Sequence, residues 1–210
     1  MTTKILDAII EHPLTQYEIQ AMARPLSEAK REALLVAASD LIAQLGTGAS
    51  TAKIAKVAGV SEGTLFTYFP SKDDLLNELF IEIEGGLAES MLAPYPVDAS
   101  ARDRLFMVWS RLIEWGLNHS TARKALRQLK VSDRVTTESR KRCHAMFCEA
   151  RAMVEQCLAG HSDPGRIAFY IDTILFDLAD ITMNAIAAKP KEREAIRQAG
   201  FDLFWKGSAA

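Results

Sequence analysis

The sequence predicts an all-α protein, and three observations carry that expectation. Apolar residues recur at three- and four-residue spacing along most of the chain, glycines and prolines fall between those periodic stretches, and no stretch shows the alternation of a half-buried strand. The same periodicity divides the chain into an N-terminal extension at 1–26, a small helical domain at 27–87 and a larger helical domain at 88–210.

The extension carries Ile5, Leu6, Ile9 and Ile10, a short amphipathic pattern that stops before Pro13. Lys4 and Arg24 are too few for a basic arm reaching into a minor groove, so docking onto the rest of the protein or simple flexibility is the expectation. The first helix of the small domain starts near Ser27 and places Leu34, Leu35, Ala38, Leu41, Ile42 and Leu45 on one stripe, with Gly46 and Gly48 ending it.

Residues 50–69, STAKIAKVAGVSEGTLFTYF, read as two short helices hinged at a glycine, a helix-turn-helix. Ser50 caps the first, whose inner face carries Ile54, Ala55 and Ala58. Gly59 supplies the left-handed turn and Ser61 caps the second helix. There Leu65 and Phe69 turn inward and Glu62, Gly63, Thr64, Thr67 and Tyr68 point largely outward. Glycine inside a helix costs roughly 1 kcal/mol against alanine, so Gly63 marks either a close backbone approach to another molecule or a frayed helix start. A fourth helix begins after Pro70, with Ser71 as cap and Asp74 three residues on. Its face of Leu75, Leu76, Leu79, Phe80 and Ile83 runs on toward Met91, which makes it the mechanical link to the larger domain.

The stretch from Ser27 to Leu87 resembles the DNA-binding domain of the TetR family of bacterial transcription regulators. The carriers are REALLVAASDLIAQLG and TAKIAKVAGVSEGTLFTYFPSKDDLL, in which AGVS, GTLF, YF and SK stand at the family's spacing. Together with the helix geometry, the resemblance implies phosphate contacts at Ser50, Thr51, Gly63 and Lys72 and base-edge positions at Thr64, Thr67 and Tyr68, with Lys53, Ser61 and Glu62 on the same surface. One departure is Phe66, where the family usually carries a tyrosine whose hydroxyl binds phosphate, so that contact is absent.

Composition sets the outer bounds. A chain of 210 residues with 49% hydrophobic and 25% charged residues has ample material for a core. No apolar run reaches about 18 residues and the start MTTK lacks the features of a signal peptide, so no membrane span and a cytoplasmic location are expected. Cys143, Cys148 and Cys157 are odd in number and form no CxxC pair, which argues for reduced, buried thiols. The net charge of −2 hides local contrast: 27–87 carries net −4, Ser50 to Lys72 within it net +2, and Ala101 to Arg151 net +7.

The second domain opens after the PYP of Pro94 to Pro96 with a helix bearing Leu105, Val108, Trp109, Leu112, Ile113 and Leu117. A short basic helix at 122–131 and a long one at 137–158 come next. Phe106, Trp109, Arg111, Trp115 and Phe147 are candidates for a ligand pocket, since ligand sites are mostly apolar with a few polar groups, though for any single one of the apolar residues an ordinary core position is the favoured reading. Arg102, Arg104, Arg111, Arg123 and Arg127 beside large apolar side chains suit an amphipathic anionic or neutral ligand, because a guanidinium donates two parallel hydrogen bonds to carboxylate or phosphate. Cys143, His144 and Cys148 match no zinc spacing, so no metal and no cofactor are expected, and no catalytic motif is present to suggest an enzyme.

The last helices, at 164–187 and 190–205, show two apolar stripes: Ile167, Tyr170, Ile171, Ile174, Leu178, Ile181 and Ala185 on one, and Phe169, Phe176 and Met183 at seven-residue spacing on another, with Phe204 on the neighbour. The resemblance implies a four-helix homodimer interface here; a helix buried in a monomer core fits the same pattern. The expectation is a homodimeric regulator, most often a repressor, that binds a palindromic operator in double-stranded DNA and is released by a small molecule. A DNA-binding protein answering to a protein partner and a helical binding protein with decayed DNA binding are the alternatives.

Overall fold

The computed structural model describes residues 27–92, 94 and 98–210. The amphipathic pattern at 5–10 and most of the PYP segment lie outside them. Every regular element among the described residues is helical.

Helix α1 spans Glu28–Leu45, and the backbone N–H of Ser27 just before it donates to the hydroxyl of Tyr68 at 2.9 Å. Its C-terminus turns at Gly46, whose φ of 71° lies in the left-handed region where a Cβ is penalised. Leu45, expected on the inner stripe, is instead exposed at that last turn. Helices α2 (Thr51–Val57) and α3 (Glu62–Tyr68) are capped by Ser50 and Ser61 and joined through Gly59 at φ 72°. Helix α4 (Lys72–Met91) starts with Ser71 accepting from the Asp74 N–H at 3.1 Å and donating to the Asp74 carboxylate at 2.7 Å.

Helices α5 (Ala101–Asn118), α6 (Ser120–Lys130), α7 (Thr137–Met146) and α8 (Cys148–Leu158) come next. The long helix expected at 137–158 is two, because the chain turns at Phe147, whose ring meets Phe176 edge-on at 6.1 Å. The ninth helix, α9, runs over 167–188 in three stretches: α at Ile167–Phe169, π at Tyr170–Leu175 and α at Phe176–Ala188. Helix α10 is Arg193–Gly207.

Two cores result. The first gathers Leu34, Ala38, Ile42, Ile54, Leu65, Phe69, Leu75 and Leu79 of the small domain, but it also takes in Ala125, Leu126 and Leu129 of α6, then Val135 and Cys143. Among all pairs of elements α1 packs most extensively on α6. The second core surrounds Trp109, which is fully buried between Phe201 and Phe204 and donates its indole N–H to the Arg197 carbonyl at 3.0 Å. Helix α4 serves both: Leu75 to Ile83 face the first core, Leu87 and Met91 the second. Asn77 on α4 fixes the chain between α6 and α7, donating to the Arg134 carbonyl and accepting from the Thr136 N–H, each at 2.9 Å. Helices α6 and α7 thus both pack directly on α4, and α6 on α1, the two helices that flank the helix-turn-helix.

The stripes read from the end of the chain are corrected by these packings. A π stretch closes its turns over more residues than an α-helix, so it shifts the phase of everything beyond it. Phe169 and Phe176, seven residues apart across that stretch, fall on different sides: Phe169 is 54% exposed and Phe176 turns toward α8. Met183 and Phe204 are buried in the second core. Besides Phe169, the large apolar side chains left outward on α9 and α10 are Ile181, 64% exposed, and Leu203, 63% exposed. Cys143 and Cys157 are buried as expected, whereas Cys148 is exposed.

Candidate functional site

Two places collect functional groups: the outer surface of α2 and α3, and a cavity between α4, α7, α8 and α9.

On the first, buried Ile54, Ala55, Leu65 and Phe69 fix which sides of α2 and α3 face outward. Ser50, Lys53, Ser61, Glu62, Gly63, Phe66 and Thr67 are exposed, and Thr51, Thr64, Tyr68 and Lys72 are half-buried. The hydroxyls are held locally. Ser50 accepts from the Lys53 N–H at 3.3 Å, Ser61 accepts from the Thr64 N–H at 3.1 Å with the two hydroxyls 2.9 Å apart, and Thr67 donates to the Gly63 carbonyl at 3.1 Å. Among the described residues a Cβ at Gly63 would meet only the Ser61 hydroxyl at 3.9 Å, so none of them requires glycine there. Tyr68 is less free than its sequence position suggests, since its hydroxyl receives the Ser27 N–H. Phe66 is 42% exposed, an apolar ring beside the hydroxyls of this helix.

Charge on this face is mostly positive: Lys53, Lys56 and Lys72 stand against Glu62. Arg134 joins them, a residue that no motif in the sequence marks. Its guanidinium lies 2.6 Å from Asp73, the neighbour of Lys72, although 61 positions separate the two in the chain. Partial burial and the nearby Arg134 charge pull the Lys72 amine below the ordinary lysine range, with Asp73 opposing. The basic excess of 101–151 was the available signal, but which of its members would reach the small domain was not legible.

The cavity has a volume of about 570 Å³, within the range of small-molecule sites. Its floor is apolar, with Phe80 and Met91 from α4, Val154 from α8 and Ile171 and Leu175 from the π stretch all buried. Phe147 and Phe176 form one wall, and Lys130, Arg140, His144 and Arg151 bring basic groups to the mouth. Of the five pocket candidates only Phe147 lines it. Trp109 is in the second core, Phe106 packs on Phe201 at 4.9 Å, Arg111 donates to the Pro94 carbonyl at 2.8 Å, and Trp115 stacks on His119 at 5.1 Å. The five arginines expected to meet a ligand are not at this cavity either: Arg123 and Arg127 pair with Asp180 at 2.7 and 3.2 Å, and Arg102 with Asp202 at 2.7 Å. Arginine finds carboxylates on the neighbouring helix first. Among the described residues no group of three His, Cys, Asp or Glu side chains is placed to hold a metal, and no helix is long and apolar enough to cross a membrane.

Known proteins resemble this chain in part of the small domain's sequence and, over most of its length, in fold. Residues 34–79 match the family described as bacterial regulatory proteins, tetR family. The fatty acid metabolism regulator protein of Bacillus subtilis is 39% identical over 79 residues, which is 37% of this chain and 41% of that protein, so less than half of that relative's length is matched. A TetR-family transcription regulator from Shewanella sp. PV-4 superimposes with a TM-score of 0.74 at 26% identity, covering 86% of this chain and 98% of that one. FadR from Bacillus subtilis, solved in complex with stearoyl-CoA, has a TM-score of 0.65 at 21% identity over 84% of this chain and 98% of that one.

Proposed function

Because this chain belongs to the TetR family of bacterial regulatory proteins, we propose that it is a sequence-specific DNA-binding transcription regulator that represses until a small molecule occupies its second domain. The observation that carries the reading is the outward face of α3. It holds Gly63, Thr64 and Thr67 exposed or half-exposed beside Lys53 and Lys72, on a helix capped by Ser61. Threonine offers a donor, an acceptor and a methyl to base edges, while lysines and backbone N–H groups at a helix start take phosphates.

The protein acts as a homodimer joined through the outer faces of α9 and α10, where Ile181 and Leu203 leave apolar surface that a second copy would cover. Two recognition helices related by a twofold axis read a palindrome whose half-sites lie about one helical turn of DNA apart. The ligand site is the cavity beneath α4, since that helix continues directly from the helix-turn-helix. A ligand releases DNA only if it binds the DNA-free arrangement more tightly than the DNA-bound one.

The test is a gel shift with DNA upstream of the protein's own gene, then footprinting. A protected palindrome is expected. Protection of a single asymmetric half-site overturns the dimeric reading, and absence of any sequence-specific shift overturns the regulator itself.

A further inference from the structure

Glu84 is a carboxylate in the wrong surroundings. It sits on α4 in the apolar part of the cavity, 5% exposed, and its charged partner is Lys130 at the end of α6, 3.1 Å away. A buried carboxylate has to be paired or neutralised, because desolvation of the isolated charge is costly. The pair therefore ties α4 to α6, the helix on which α1 of the DNA-binding domain rests.

The other cations at the mouth differ in how far they are already used. Arg151 is held by Asp172 and by Glu155. Arg140 has no carboxylate partner among the described residues: it donates to the Ser132 carbonyl at 3.1 Å and lies 5.8 Å above the Phe80 ring. Lys130 stands 5.5 Å over the Phe176 ring as well as beside Glu84, and an ammonium has three donors to share. The cavity thus combines an apolar floor with one guanidinium that has no carboxylate partner among the described residues and one ammonium engaged on one side.

We propose that the cavity takes a molecule with an apolar chain and an anionic head, that the head seats on Arg140 and Lys130, and that in drawing Lys130 away from Glu84 it loosens the tie between α4 and α6. The inference rests on the ligand-release reading above and adds the class of ligand and the pair that senses it. The chain lies along Met91, Val154, Ile171 and Leu175, and the head remains at the mouth where Arg140 is exposed. A cation would meet Arg140 and Lys130 as like charges, and Glu84 would be its one attractive group in the buried part. Once Lys130 turns to the anion, Glu84 is left without its partner in a buried setting, and the helix that aims the helix-turn-helix shifts to bring the carboxylate toward water.

Sodium decanoate and decylammonium chloride, matched in chain length, are titrated calorimetrically into the full chain. Decanoate is expected to bind once per chain and at least ten-fold more tightly than decylammonium. Arg140→Met should weaken decanoate at least ten-fold while the fold, read by circular dichroism, is unchanged, since this exposed side chain holds no carboxylate. Glu84→Gln should tighten it several-fold by leaving Lys130 uncommitted, and because amide replaces carboxylate the variant has no unpaired buried charge. Tighter binding of decylammonium, no binding of decanoate, or decanoate binding unchanged in Arg140→Met overturns the proposal. DNA binding without any probe is measured in parallel: loss there with decanoate binding intact refutes the regulator and spares the ligand class, and the reverse pattern refutes the ligand class alone.

Discussion

The hydroxyl of Thr51, the first residue of α2, donates to the carboxylate of Glu62, the first residue of α3, across 2.6 Å. The bond closes the helix-turn-helix at its outer surface and places an acid on the face proposed to meet phosphates. Exposed bonds of this kind stabilise a fold by about 1 kcal/mol or less. Glu62→Gln keeps an acceptor for Thr51 and removes the charge, so operator affinity should rise about two- to five-fold at low salt, the scale of one charge interaction screened by water. Fluorescence anisotropy at two salt concentrations checks this. A fall in affinity would mean that the carboxylate itself is needed to hold Thr51.

Lys72→Ala should weaken binding about equally for all DNA sequences and flatten the dependence of log affinity on log salt by on the order of one unit, as expected for one lost phosphate contact. Thr64 substitutions should change which bases are preferred and leave the slope alone. A Lys72→Ala variant with altered base preference and an unchanged slope contradicts the assignment.

The α9–α10 contact depends on Gly200. A Cβ there would lie 2.4 Å from the Thr182 hydroxyl and 2.9 Å from the Trp109 ring, both in the packed second core. Gly200→Ala gains up to about 1 kcal/mol of helix propensity but forces those groups apart, and overpacking of this kind costs about 1–3 kcal/mol. Urea denaturation should show a net loss of stability, and equal or greater stability would mean that α10 can shift without cost.

Ile181→Glu and Leu203→Glu place charges on exposed positions, so each monomer should keep its helical content. Light scattering after size exclusion should show the mass falling from two chains to one. A dimer that survives both changes uses a different face.

Cys143 is buried and lines the cavity beside Glu84. Burial, reinforced by the Glu84 charge, pushes its thiol up to about 11. At pH 8 it should be alkylated far more slowly than exposed Cys148, as peptide mass spectrometry after timed iodoacetamide treatment would show. Because the folded state favours the protonated thiol, its contribution to stability is present below about pH 9 and is lost as pH rises through 11. Similar labelling rates at the two cysteines would show that the cavity opens readily.

What the sequence made legible was local. Ser50, Ser61 and Ser71 cap helices as their side chains predict, and Gly46 and Gly59 take the left-handed turns that only residues without a Cβ adopt freely. What it concealed depended on distant partners. Arginines 102, 123 and 127 are available to a ligand by sequence alone, and it is the fold that brings Asp180 and Asp202 beside them. The break at Phe147 and the π stretch at Tyr170–Leu175 carry no proline or glycine, so a constant 3.6-residue period runs through both unmarked and misplaces the outward apolar positions. Glu84 and Lys130 are ordinary surface residues by type, and only the packing of α4 against α6 turns one of them inward.

The inclusion of Leu126 and Leu129 in the first core bears on modular exchange between regulators. A chimera that grafts residues 27–92 onto another sensor would cut through a single hydrophobic interior, stripping α1 of the helix it packs on most extensively. The transplantable unit in this protein includes α6, and a working swap has to carry that helix along or redesign the face of α1 that it covers.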